Sequence, residues 1–134
     1  MAGRVRTRAG FTLIELMVVM SLIVVLASVG LTLYANSVVR AKESVLKEDL
    51  FRMRDAIDQY YADKGRYPPT LADLVGEKYL RSIPVDPFTR SADTWRAVLS
   101  EPEGGNATVE PGVFDVRSGS DQKALDGTNY SDWD

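Results

Sequence analysis

Gly10-Phe11-Thr12-Leu13-Ile14-Glu15-Leu16 sets one carboxylate in an otherwise uncharged, apolar run. Three arginines (Arg4, Arg6 and Arg8) precede it, and the 24 residues from Leu16 to Val39 contain no Asp, Glu, Lys or Arg. As an α-helix that run is about 36 Å long, enough to cross a bilayer core of roughly 30 Å. The pattern reads as a membrane segment behind a basic leader, with the N-terminus cytoplasmic and the remainder exported. A charged side chain at the centre of such a helix costs about 2.5–3.5 kcal/mol. Glu15 lies one turn from the start, so it either snorkels to the headgroups or has a partner. A cut between Gly10 and Phe11 supplies that partner, because the new α-amine lies four residues from Glu15. Two unit charges about 4 Å apart attract by roughly 4 kcal/mol at an effective dielectric of about 20, which rivals the burial cost. Amine and carboxylate meet better between neighbouring helices than within one, so the pair rewards assembly of subunits.

Composition narrows the chemistry. The 134 residues hold 16 basic and 19 acidic side chains, a net charge of −3 that becomes −6 once the three leader arginines are removed. A net acidic chain argues against nucleic acid as a partner. There are no cysteines and no histidines, which excludes thiol chemistry, histidine-based catalysis, zinc sites built on either residue, and disulfide staples. No nucleophile–base pair or paired catalytic carboxylates stand out, so an enzyme is the least favoured class.

Beyond Val39 the helical pattern continues with charge. Leu46, Leu50, Met53, Ile57 and Tyr60 form one apolar stripe, while Lys42, Glu43, Lys47, Glu48, Asp49, Arg52, Arg54, Asp55 and Asp58 fill the other faces. No proline interrupts the chain before Gly65 and Pro68-Pro69, so one helix is expected from about Thr12 to Lys64. Gly30 is its weak point, costing about 1 kcal/mol relative to alanine, and suits either close helix packing or local melting. Tyr60, Tyr61 and Tyr67 read as packing residues at the helix end. Thr70 with Asp73 caps a short helix over Pro69–Val75. Tyr79–Phe88 reads as a proline-rich loop. Thr94–Leu99 predicts a strand with Trp95, Ala97 and Leu99 on one face. Glu103–Asn106 predicts a turn, and Gly112–Val116 the returning strand. The expected class is α+β, one long helix packed by a small antiparallel sheet with a C-terminal loop. Three regions follow: residues 1–10 a cleaved leader, 11–39 a transmembrane half-helix, and 40–134 an exported domain that includes the amphipathic half.

Gly10-Phe11-Thr12-Leu13-Ile14-Glu15, its basic leader and its apolar helix resemble the type III signal of the type IV pilin and pseudopilin superfamily. Gly65-Arg66-Tyr67-Pro68 and Ile83-Pro84-Val85-Asp86-Pro87-Phe88 resemble the corresponding segments of the major, G-type pseudopilin of type II secretion. The tail Asp115–Asp121 and Ser131-Asp132-Trp133 resembles its C-terminal loop. Ile83, Phe88 and a shortened tail depart from that pattern. The resemblance implies a pilin-like fold, cleavage by a prepilin peptidase at Gly10–Phe11, and N-methylation of Phe11. It further implies that Glu15 neutralises the amine of a neighbouring subunit in a homopolymer. The partners it implies are minor pseudopilins, an assembly platform and ATPase, and the inner membrane, with a periplasmic filament as the product. A surface pilus is the alternative within the superfamily, although such pilins usually carry a C-terminal disulfide. A monomeric membrane-anchored binding module is the alternative outside it, and leaves Glu15 unexplained.

Residues 101–134 carry eight acids and two bases, which on composition alone describes a solvated acidic tail. The resemblance instead implies one calcium ion, held by Asp121 and Asp126 with carbonyl oxygens of Ser118 and Lys123. Asp132 is the other choice for the second carboxylate. Trp133 is either an exposed aromatic or a plug that closes this loop on the sheet.

Overall fold

The computed structural model describes Gly3, residues 10–101 and residues 110–134. The leader arginines and the expected turn at Glu103–Asn106 lie outside the described residues. Among the described residues the elements in chain order are a long helix α1 (Leu13–Lys64), a short helix α2 (Leu71–Gly76), strands β1 (Arg96–Leu99) and β2 (Val113–Arg117), and a 3-10 turn (Tyr130–Asp132).

α1 starts where the sequence offers a cap. The Thr12 hydroxyl accepts a hydrogen bond from the Glu15 backbone N–H at 3.2 Å, satisfying one of the free amides of the first turn. The helix runs unbroken through Gly30. It ends at Gly65, which adopts φ +70° and donates its N–H to the Tyr61 carbonyl at 2.8 Å. From Leu13 to Val38 every residue is exposed in the isolated chain, and this stretch is long and apolar enough to cross a membrane. Its serine and threonine hydroxyls are nonetheless satisfied. Ser21, Ser28, Thr32 and Ser37 donate to the carbonyls of Met17, Val24, Ser28 and Leu33 at 2.7–3.0 Å. Bonding back to the i−4 carbonyl lets a polar side chain sit in an apolar solvent without an unpaired donor.

From Val38 onward the chain forms a second compact unit with its own core. α1 contributes Leu46, Leu50, Met53, Ala56, Ile57 and Tyr60, the predicted stripe with Ala56 added. Leu74 of α2, Val113 and Val116 of β2, and Trp95, Ala124 and Tyr130 from the loops complete it. α2 begins as the sequence indicates: the Asp73 carboxylate accepts from the Thr70 backbone N–H at 2.9 Å and from its hydroxyl at 2.8 Å. Residues 83–88 form no strand.

The sheet has two strands, antiparallel, with Arg96 opposite Arg117, Ala97 opposite Val116 and Val98 opposite Asp115. β1 sets Ala97 and Leu99 on one face, as expected, opposite Val116 and Val113, but leaves that face of the strand exposed. Trp95 is buried but precedes the strand, Ala97 is exposed, and Leu99 is 53% exposed. The register steps from Val98–Asp115 to Leu99–Val113, so the extra residue is Phe114 of β2, and this bulge lets both Val113 and Val116 face the core. Ala97 shares a face with buried Val116, but on an edge strand a methyl group is too small to be covered.

The helix face supplies half of the buried apolar residues, so its loss is expected to be expensive. Ile57→Ala lowers the unfolding free energy by about 2–5 kcal/mol, whereas Phe51→Ala, on the exposed face of the same helix, changes it by less than about 0.5 kcal/mol. Urea denaturation of the detergent-solubilised chain, followed by circular dichroism, checks both.

Candidate functional site: the helix start and the C-terminal loop

Two places carry the residues singled out in the sequence. At the first, Gly10 and Phe11 precede α1 in non-helical backbone, and Phe11 is 87% exposed. Because Thr12 caps the helix, Glu15 falls on its third position, where a carboxylate is favoured by the helix dipole. The Gly10–Phe11 bond thus lies outside the hydrogen-bonded helix, with the one membrane-segment carboxylate a turn beyond it.

The second place is the C-terminal loop after β2. Lys123 and Asn129 bridge in antiparallel fashion, with the Ala124 N–H donating to Thr128 at 2.7 Å and the Tyr130 N–H to Gln122 at 3.2 Å. Gly127, at φ +87°, makes the tip. Gly119 lies against the Thr94 carbonyl so closely that an added Cβ would come within 2.0 Å of the oxygen. Phe88 stacks on Tyr130 at 3.8 Å between centroids, and Trp133 meets Tyr130 edge-on at 5.0 Å. Trp133 is half-buried against the core and donates its indole N–H to Thr128 Oγ1 at 2.8 Å. It therefore plugs the loop, as one of the two expectations held, but through Tyr130 and the loop itself rather than through the sheet.

Charged side chains of α1 fasten this loop to the helix. Arg54 donates from Nε to Asp115 Oδ1 at 2.7 Å, and from Nη2 to the carbonyls of Val116 at 3.0 Å and Trp133 at 2.9 Å. Glu43 Oε1 accepts from the Leu125 N–H and from the Tyr130 hydroxyl, both at 2.9 Å. Below the loop, fully buried Asp86 accepts from the Ser118 hydroxyl with one oxygen and from the Phe88 N–H, at 2.8 Å, with the other. Reading the helix as an apolar stripe with solvated outer faces missed Arg54 and Glu43. Asp86, noticed only as part of a proline-rich segment, is the buried acceptor that the loop closes on.

The four residues expected to hold calcium stand in different surroundings. Ser118 is fully buried and its hydroxyl is used on Asp86. Asp121 is 81% exposed and pairs with Arg96 Nη2 at 3.0 Å. Asp126 accepts from the Thr128 N–H at 2.9 Å and from the Thr128 hydroxyl. These bonds hold its carboxyl below the ordinary carboxylate range, with the charge of Lys47 adding to the effect. Lys123 lies in the bridge with Asn129. An open cavity of about 570 Å³ brings Asp126 and Asp132 together with Lys47, Thr128, Trp133 and Asp134, and Asp121 does not line it. Among the described residues no three acidic side chains are grouped to hold a metal ion. Calcium takes six to eight oxygens; here Asp121 and Asp126 do not line one cavity and each carboxylate is already engaged, by Arg96 and by Thr128, an arrangement that does not suit the ion.

With the geometry established, the sequence relations have a structural context. Residues 5–31 match the family model described as the prokaryotic N-terminal methylation motif. The type II secretion system core protein G of Klebsiella michiganensis is 30% identical over 131 residues, 94% of this chain and 92% of that protein. Core protein G of Pseudomonas aeruginosa is 31% identical over 99 residues, 62% of this chain and 70% of its own. The fimbrial protein EcpC of Eikenella corrodens is 35% identical over 85 residues, 60% of this chain but 56% of the fimbrial protein. No solved structure matches. The chain belongs to the type IV pilin superfamily and, within it, to the family of the core protein G pseudopilins. It is a structural subunit rather than an enzyme, and membership implies processing by a prepilin peptidase and polymerisation.

Burial, followed by the hydrogen bond to Glu43, pushes the Tyr130 phenol up to about 12 from its ordinary value of 10.0. The folded state favours the protonated phenol, so this contribution to stability is complete below about pH 10 and is lost as pH rises through about 12. An alkaline titration followed by tyrosinate absorbance should show a late step together with opening of the loop. Tyr130→Phe removes the Tyr130 contribution to that step.

Proposed function

We propose that this chain is the subunit of the periplasmic pseudopilus of a type II secretion system. It is held in the inner membrane by residues 11–39, cut between Gly10 and Phe11, and then polymerised. The observation that carries this reading is the reach of the similarity. The relation to a core protein G runs through the C-terminal loop, over 94% of the chain, whereas the fimbrial relation covers 60% of it. The absence of cysteines points the same way, since the disulfide usual in surface pilins has no counterpart. In the filament Glu15 pairs with the amine of Phe11 on a neighbour, which sets the register of the apolar helices. Minor pseudopilins, an assembly platform and its ATPase are the partners this role requires.

Complementation tests the role. In a type II secretion strain lacking its major pseudopilin, the chain should restore release of the exoprotein; surface fibres without secretion would favour the pilus reading. Processing and assembly should also separate. Glu15→Leu leaves the mass loss at Gly10–Phe11 intact but abolishes sedimentable filaments, whereas Gly10→Val blocks the mass change itself. If Glu15→Leu filaments sediment as the parent does, Glu15 has no part in register.

A further inference from the structure

The calcium expectation and the observed donors disagree, and the disagreement has a positive content. We propose that the C-terminal loop of this chain closes without a metal, with Lys47 of α1 and Arg96 of β1 standing where a divalent cation would balance its carboxylates. A metal staple in such a loop does two things: it neutralises clustered acids and it joins the loop to the rest of the domain. Both are already done here by side chains.

Neutralisation comes from two sides. Lys47 lines the same cavity as Asp126 and Asp132 and holds its ammonium 4.9 Å over the Trp133 ring, a position that combines carboxylate attraction with a cation–π contact. Arg96 meets Asp121 at 3.0 Å. That second pair is exposed and contributes little by itself. Its consequence is electrostatic, because an ion approaching Asp121 meets a guanidinium first. Calcium at either carboxylate has to displace a resident cation or sit beside it, and like charges at such distances oppose binding.

Joining comes from bonds between α1 and the loop, of which those of Arg54 and of the Tyr130 hydroxyl are partly buried. Arg54 ties Asp115, Val116 and the Trp133 carbonyl to α1, and Glu43 ties Leu125 and Tyr130 to the same helix. Ser118 is fixed on buried Asp86, and its oxygen in turn accepts from the Ser120 N–H at 3.1 Å. No buried side-chain nitrogen or oxygen among the described residues lacks a partner, so no side chain buried beneath the loop is left for an ion to satisfy. The inference holds whether the filament is a pseudopilus or a surface fibre, so its failure would leave the filament reading untouched.

The test uses the full chain in detergent. Its melting midpoint should be the same in excess calcium and in chelator, and calorimetric titration with calcium chloride should give no saturable heat. An ion bound at about 100 times its dissociation constant would instead raise the midpoint by roughly 10–20 °C, and such a shift, lost in Asp121→Asn, would overturn the proposal. Lys47→Met supplies the converse. It should lower the midpoint and speed trypsin cleavage after Lys123, with Lys47→Arg restoring the parent rate. Lys47→Met indistinguishable from the parent in both readouts would also overturn the proposal.

Discussion

The Arg54 guanidinium reaches from α1 to three acceptors that lie 61, 62 and 79 residues further along the chain. A planar fork of five N–H groups suits this task, because one side chain can hold a carboxylate and two carbonyls in a fixed relation. With Asp115 it forms a pair in which both side chains are at most about a quarter exposed. Removal of one member of such a pair leaves the other poorly solvated, at a cost of about 3–5 kcal/mol when burial is complete. β2 and the last turn are thereby referred to the same point on the helix. β1 follows, since its only sheet partner among the described residues is β2.

That dependence reflects how little the sheet can do alone. Two strands with one irregular pairing are marginal in water without a packed face. The core is accordingly built on α1, which supplies six of its twelve buried apolar residues. The C-terminal loop then acts as another wall of the core through Ala124 and Tyr130 rather than as a solvated tail. Its acids sit outward, its aromatics inward, and the helix bonds hold the two apart. A loop organised in this way is tied into the domain by its own side chains.

Features governed by near neighbours were legible in the sequence. Thr12, Gly65 and the Thr70–Asp73 pair mark helix ends because capping acts over three or four residues. The stripe from Leu46 to Tyr60 declares itself because the helix repeat is regular. Trp133 could be read as a plug, although its seat on Tyr130 could not. Long-range partners left no such trace. Arg54, Glu43 and Lys47 look like any charged residues on a solvated face until the loop is laid over them. The bulge at Phe114 left no trace either, because it is set by the pairing of β2 with β1 and not by local alternation. The acid count of the tail was plain, but composition does not reveal which cations another element places opposite each acid.

The hydroxyls of the membrane half have a consequence for how such a subunit changes surroundings. Ser21, Ser28, Thr32 and Ser37 each bond to a carbonyl of their own helix, so their polar valence closes within the cylinder. Lipid tails and the apolar side of another helix then look alike to this surface, because neither is asked to supply a donor or an acceptor. Transfer from bilayer to polymer exchanges one apolar solvent for another without breaking a hydrogen bond on the way. Glu15 is the one carboxylate in this half of the helix, and such self-closure does not reach it.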